Sequence, residues 1–232
     1  MAARGDVMRP GPIRLFLLEH RRLLQSLIEI ALCHEQSIQL AGCASCVDEA
    51  RALLDRLDAP IDVAIVDLSL PGDAAIAFLP ELHAQWPACR ILVLEPIESF
   101  RRRALAVASG AAGVLSRHAS FDETLAMIRR AGKGAALIEP NDLNELLRAA
   151  ARFRAVEESA RAKFDRLTAR EMDVLRALAR GCSDKEIAAE LQIKNKTVAT
   201  HVASVLDKLV VSSRLQAVLL ALQFDVVELG FE

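Results

Sequence analysis

From residue 13 onward the chain alternates short apolar runs with amphipathic stretches. Residues 13–18, 38–41, 63–66, 91–94 and 113–115 are nearly continuous in Ile, Leu, Val and Ala and read as strands. Between and after them, residues 22–32, 47–57, 74–85, 100–109 and 121–131 repeat apolar residues at helical spacing. Apolar strands separated by helices predict a parallel sheet covered on both faces, because each crossover helix must bury its apolar stripe on the sheet. The expected architecture for residues 13–134 is therefore α/β, a flavodoxin-like doubly wound domain with its functional edge at the carboxyl ends of the strands. Residues 1–12, with Gly5, Pro10, Gly11 and Pro12, read as a flexible lead. Residues 135–163 read as a helical linker, amphipathic over 141–148 and then rich in Ala, Arg and Glu with little turn chemistry.

The pattern changes over residues 164–232, where short helical segments follow one another at well-marked joints and predict an all-α, four-helix domain. Thr168 and Glu171 have capping-box spacing, in which a hydroxyl at the helix start and a carboxylate three residues on each satisfy a free backbone N–H. Val174, Leu175 and Leu178 share one face of the helix they open, and Gly181 stops it. Ser183 and Glu186 repeat the box before Ile187, Ala188 and Leu191. Gln192-Ile193-Lys194-Asn195 then turns the chain into a helix over 196–209, with Asn195 as the expected N-cap and Val198, Val202, Val205, Leu206 and Leu209 inward. Two short helices, a brief turn and a third helix with a polar face form a helix-turn-helix able to lay the third helix in a DNA major groove.

Leu167-Thr168-Ala169-Arg170-Glu171, Val174-Leu175, Gly181, Lys185-Glu186-Ile187-Ala188, Thr197-Val198, His201-Val202, Lys208-Leu209 and the run from Ser213 to Val218 resemble the LuxR-type DNA-binding domain of bacterial transcription regulators. The resemblance implies double-stranded promoter DNA as partner. Ser183 and Lys185 are placed for phosphate, while Lys194, Lys196, Thr197, Ala199, Thr200 and His201 lie on or beside the reading face, with His201 divided between packing and phosphate contact. Ala199 stands where the family commonly has a basic residue, and Ala203 adds no charge, so fewer contacts release counterions. Val210 stands where the family usually has Gly, which alters the turn if that joint needs positive φ. The last helix carries Leu215, Val218, Leu219 and Leu222 on one stripe, part of it own core and part, by resemblance, the contact of a homodimer.

The first domain resembles the receiver of response regulators, on Val66-Asp67-Leu68-Ser69-Leu70-Pro71-Gly72 and Gly110-Ala111-Ala112-Gly113-Val114-Leu115. Together the two halves resemble the NarL/FixJ type of response regulator. The resemblance makes Asp67 the phosphoacceptor position, but the surrounding pocket departs from the pattern. Where the family has two acids for Mg²⁺, alignment on the following helix gives Glu19 and His20, and a shift by one gives Leu18 and Glu19. Either way one acid is gone, and imidazole is a poor ligand for a hard ion. Glu95 replaces the hydroxyl that contacts the phosphoryl group, and Arg117 replaces the Lys that pairs with it. The expectation is an atypical receiver with no cofactor and doubtful Mg²⁺ binding, in which Arg117 pairs with Asp67, Glu95 or both and control runs independently of ordinary aspartyl phosphorylation. Two alternatives stay open. One is a conventional two-component regulator phosphorylated at Asp67 by a kinase. The other is an anti-regulator that forms mixed dimers with a partner regulator and binds DNA weakly.

Composition adds limits. The 232 residues carry 29 Lys+Arg against 31 Asp+Glu, a formal net charge of −2, so the DNA reading rests on motif and not on charge. No apolar run is long enough for a membrane and no signal-peptide core precedes Ile13, which makes a cytoplasmic protein the expectation. The five cysteines are scattered, and the Cys43/Cys46 pair lacks further ligands at metal spacing, so it reads as a strand-to-helix junction. There is no nucleophile–base–orienter set and no phosphate-cradling Gly loop, so an enzyme is not expected.

Overall fold

The computed structural model describes residues 11–71, 73–95, 99–224 and 226–227. The chain divides into two compact units, Met1–Ala151 and Arg152–Glu232. In the first, strands β1 (Ile13–Leu18), β2 (Ile38–Ala44), β3 (Val63–Asp67), β4 (Arg90–Glu95) and β5 (Ala111–Ser116) form one sheet in the order β2-β1-β3-β4-β5. Every pairing is parallel. Helices α1 (Arg22–Leu32), α2 (Val47–Leu54), α3 (Ala74–Gln85) and α4 (Phe100–Ala108) supply the crossovers, and α5 (Phe121–Gly132) follows β5. This is the doubly wound flavodoxin-like sheet that the alternating pattern predicts.

The register sets up the site. Leu18 pairs with Val66 and Ala44, Asp67 with Leu94, and Glu95 with Ser116. The strands therefore end level, and Glu19, Asp67, Glu95 and Arg117 leave the sheet at one edge. Chain reversal between β1 and β3 opens the crevice that doubly wound sheets use for binding. Leu15, Leu17, Val63, Ile65 and Leu92 fill one face of the sheet beneath α1 and α5, with Leu32, Leu125 and Ile128 packed on them. β2 runs past the expected 38–41 because a register shift opposite Leu15/Phe16 lets Gly42 to Ala44 continue the ladder.

Within the segment read as a helical linker runs one helix, α6 (Pro140–Phe164), of 25 residues. In the second unit, α7 (Ala169–Ala179), α8 (Asp184–Glu190), α9 (Asn195–Leu209) and α10 (Arg214–Gln223) surround two small cores. Val174, Ala177, Ile187, Ala188, Val198 and Val202 join α7, α8 and α9. Phe164, Leu175, Val205, Leu209, Ala217 and Ala221 join the end of α6 to α7, α9 and α10. Both capping boxes form: the Thr168 hydroxyl accepts from the Glu171 amide and the Ser183 hydroxyl from the Glu186 amide, with each carboxylate accepting in return. Asn195 is not the cap of α9. Lys194 occupies that position with extended backbone and no side-chain cap bond, because the helix starts one residue earlier than its Asn suggests.

Helices α7 and α9 end alike, each with one residue in the left-handed region and an i→i−5 bond closing the turn, Cys182 N–H to Ala177 O and Val211 N–H to Leu206 O. After α7 that residue is Gly181, at φ 79°. After α9 it is Val210, at φ 59° and ψ 50°. The joint does need positive φ, and a β-branched residue meets the need.

Candidate functional site

Asp67 ends β3 with its side chain fully buried (0% exposed) beneath four neighbours. Its Oδ1 accepts from the Ser69 amide (2.9 Å) and from Arg117 Nη2 (3.2 Å). Its Oδ2 accepts from the Ser69 hydroxyl (2.5 Å), and His20 Nδ1 lies 3.2 Å away. Arg117 Nη2 also donates to the Ser69 hydroxyl (3.1 Å), while its buried Nε has no partner. The grip is thus end-on through one nitrogen, not the two-pronged fork of a typical Arg–carboxylate pair. Burial by itself raises the Asp67 carboxyl. The Ser69 hydroxyl and amide, a contact with Glu19 and the charge of Arg117 outweigh it and hold the group below its ordinary value.

Glu19 follows β1 and is also buried (1% exposed). Arg21, two residues on, folds back onto it. The Arg21 amide and Nε both donate to Glu19 Oε1 (2.9 and 2.8 Å), and Nη2 donates to Oε2 (3.0 Å). Arg21 Nη2 also stands 3.7 Å from Asp67 Oδ2. Both acids are therefore matched by guanidinium groups, Glu19 by Arg21 and Asp67 by Arg117. His20 bridges the acids, 3.4 Å from Glu19 Oε1. Leu18, the other residue of the shifted alignment, is buried in the core.

Glu95 faces elsewhere. Its Oε1 accepts from the Ser99 amide at the start of α4 (2.7 Å), and its Oε2 pairs with Arg103 Nε (3.3 Å). Of the two partners considered for Arg117, the structure brings only Asp67 to it. A carboxylate beside unpaired helix amides is favoured by their partial positive charge, which accounts for the direction Glu95 takes. Cys43 ends up half-buried near the end of β2, with its thiol pushed up to about 11 by burial and by the carboxylates of Glu29, Glu49 and Glu19. That is the opposite of what a reactive thiolate needs.

On the second unit Lys185, Lys194, Lys196, Thr197, Ala199 and Thr200 are all exposed, and His201 is half-buried. Val198 and Val202 point inward, so the early turns of α9 present a polar face to solvent. The Ser183 hydroxyl is engaged in its cap, donating to Glu186 Oε2 (2.7 Å), and Thr200 donates to the Lys196 carbonyl (3.0 Å). The short helix α8 is strapped at both ends. Arg214 forks onto Asp184 (2.6 and 3.0 Å), Arg180 holds Glu190 (2.5 Å), and Arg170 donates to the Leu191 carbonyl. The α10 stripe divides: Leu215 and Leu219 are exposed, whereas Val218 and Leu222 are half-buried against the core.

Residues 165–221 match the family described as bacterial regulatory proteins, luxR family. The chain is 33% identical over 203 residues to the nitrate/nitrite response regulator protein NarP of Escherichia coli K12, covering 88% of this chain and 89% of that one. The chain belongs to the NarL/FixJ-type response regulators with a LuxR-type output unit. Similarity extends to the response regulator protein VraR of Staphylococcus aureus, 24% identical over 93% of this chain and 99% of that one. Among solved structures, a complex described as two RcsB dimers bound to two parallel DNAs matches at a TM-score of 0.50 and 21% identity, over 92% of this chain and 99% of that one. As a member of the family the protein is a DNA-binding regulator of transcription. Among the described residues, no helix is long and apolar enough to cross a membrane.

For a response regulator the pocket raises the question of Mg²⁺. Among the described residues, Glu19, His20 and Asp67 bring ligand atoms within 4.8 Å of one another. The donor set fits the ion poorly. One donor is an imidazole, and two guanidinium groups already offset the two carboxylates. Two features of this response regulator escape a reading of the sequence alone. Arg21 carries a signal only in its closeness to Glu19. Glu171, expected merely as half of a capping box, is buried (5% exposed) and accepts from Ser204 Oγ and Lys208 Nζ of α9, both at 2.6 Å. Burial would raise its carboxyl, but these bonds and those from Thr168 hold it at about 2.

Proposed function

We propose that this response regulator binds promoter DNA through the early turns of α9 and that its receiver is held in one state by internal ion pairs, without ordinary phosphorylation of Asp67. The observation that carries the reading is the saturation of Asp67: both carboxylate oxygens already accept from Ser69 and Arg117. To become phosphorylated, Asp67 must offer an oxygen to phosphorus while a metal and a hydroxyl offset the incoming charge. Here the hydroxyl position is Glu95, a carboxylate turned toward α4, and the acidic pair is Glu19 with His20. The chain then works without a bound metal, as a cytoplasmic homodimer whose activity follows its concentration, a partner regulator or a ligand at the receiver.

On the DNA side, Lys185, Lys194 and Lys196 give phosphate contacts, while Thr197, Ala199 and Thr200 face base edges. Ala199 fits a thymine methyl but releases no counterion. Two incubations test the reading. Treatment with a small-molecule phosphodonor and Mg²⁺, followed by mass spectrometry, is expected to leave Asp67 unmodified; stoichiometric phospho-Asp67 restores the conventional two-component reading. Selection of genomic fragments by the untreated protein is expected to enrich a roughly palindromic site. Enrichment of no site points instead to the anti-regulator reading.

A further inference from the structure

The outward face of α9 is almost bare of hydrogen-bonding side chains in its middle. Val198, Val202 and Val205 are buried. Opposite them Lys196, Thr200, Ala203 and Asp207 follow one another at helical spacing, with Ala199 beside them, and all are exposed. The Thr200 hydroxyl turns back to donate to the Lys196 carbonyl (3.0 Å), so the side chain offers its methyl outward. Residues 197–206 include no Lys, Arg, Asn or Gln. Charge on this line therefore stands only at its ends, Lys196 and Asp207, and the methyls of Ala199, Thr200 and Ala203 lie between. Ala199 and Ala203 are about 6 Å apart along the helix axis, close to the rise of two base pairs.

Each base makes its own demand in the major groove. Guanine O6 and N7 call for Arg or Lys, adenine N6 and N7 for Asn or Gln, and the cytosine amino group for a carboxylate. Thymine alone presents an apolar group there, its C5-methyl. Methyl side chains answer only that last demand, and pressed on the other base edges they would displace water without replacing its hydrogen bonds. We propose that the middle of α9 reads pyrimidine C5-methyl groups: the DNA ligand of this chain carries thymines at the bases facing Ala199, Thr200 and Ala203, chosen by methyl contact and not by a guanine-directed cation. Lys196 grips a phosphate at one end of the line. The Asp207 carboxylate, which phosphate repels, marks where the contact stops. The inference rests on the reading of α9 as the helix that enters the groove, and it does not depend on how Asp67 is controlled.

Uracil in place of thymine tests it, because the exchange removes the C5-methyl and keeps every hydrogen-bonding group of the pair. The full chain is titrated by fluorescence anisotropy against the site it enriches from genomic fragments, with thymines replaced by uracil one at a time. Affinity is expected to fall about fourfold for each contacted methyl removed, and not at all for uracil outside the protected bases. A203G is expected to weaken binding to the thymine duplex by a similar factor but to cost nothing further on the duplex whose partner thymine is already uracil. Any loss of helix stability in A203G is common to both duplexes and divides out of that cycle. A site that is enriched yet indifferent to uracil at every position overturns the inference and leaves the DNA-binding reading standing. So does an A203G effect, and an A199G effect, equal on both duplexes. Enrichment of no site overturns both the inference and the reading beneath it.

Discussion

The turn at Val210 makes a quantitative prediction. A non-glycine residue in the left-handed region costs roughly 1–2 kcal/mol, and a β-branched one sits at the upper end. Glycine at the same place removes that strain but adds freedom to the unfolded chain, worth about 0.5–1 kcal/mol in the opposite sense. Val210 is 70% exposed, so truncation forfeits only about 0.5 kcal/mol of burial. V210G should therefore stabilise the helix-turn-helix unit by about 0.5–1 kcal/mol, raising its calorimetric transition by roughly 2–6 °C for a domain of that size. V210A is the control, since it keeps a Cβ in the left-handed region and should gain much less. The reasoning fails if V210G destabilises by more than about 1 kcal/mol, which would mean that the valine makes contacts outweighing its strain. It fails equally if V210A gains as much as V210G, which would take the effect away from the backbone.

Three further predictions concern the two sites. Glu171 is held at about 2 against an ordinary 4.5, so its network contributes fully above pH 4.5 and is lost as the pH falls toward 2; E171Q should cost about 1–3 kcal/mol at neutral pH and flatten the acid limb of a stability–pH curve, and an unchanged acid limb would refute the assignment. A199K adds a cation to the exposed face of α9 and should steepen the log affinity–log salt slope by about 0.9 in fluorescence anisotropy with a DNA duplex, whereas an unchanged slope would remove Ala199 from the interface. H20D/E95T/R117K restores an acidic pair, a hydroxyl and a lysine around Asp67 and should show Mg²⁺-dependent phosphorylation by a small-molecule phosphodonor, measured as mass shift; a folded triple variant that stays unlabelled would show that something else blocks Asp67.

The order and type of the elements were legible because each strand is an apolar run and each helix an apolar stripe, which local periodicity reveals. Boundaries were less so: β2 gains residues through a register shift, and α9 begins at Asn195, its apparent cap. The positions around Asp67 were legible by likeness to a family, but their pairings were not. Arg117 had two candidate partners, and Glu95 pairs instead with the Ser99 amide and Arg103, which depends on a helix start packed beside it. The Glu171–Lys208 bond spans 37 residues and leaves no local trace, so only the folded chain reveals it. Val210 is the reverse case, a residue that looked misplaced in the sequence and occupies the left-handed turn all the same.

The pairing of Arg117 with Asp67 also bears on time. An aspartyl phosphate is a perishable mark: it arrives, persists for its chemical lifetime and is hydrolysed, so a receiver that uses it measures how recently a signal came. A guanidinium carried on the same chain is always present at high effective concentration and does not decay. On the proposed reading, this receiver keeps no clock. Its output lasts as long as the polypeptide does, and the cell would adjust it by making and destroying protein or by supplying a partner, at the pace of synthesis and turnover.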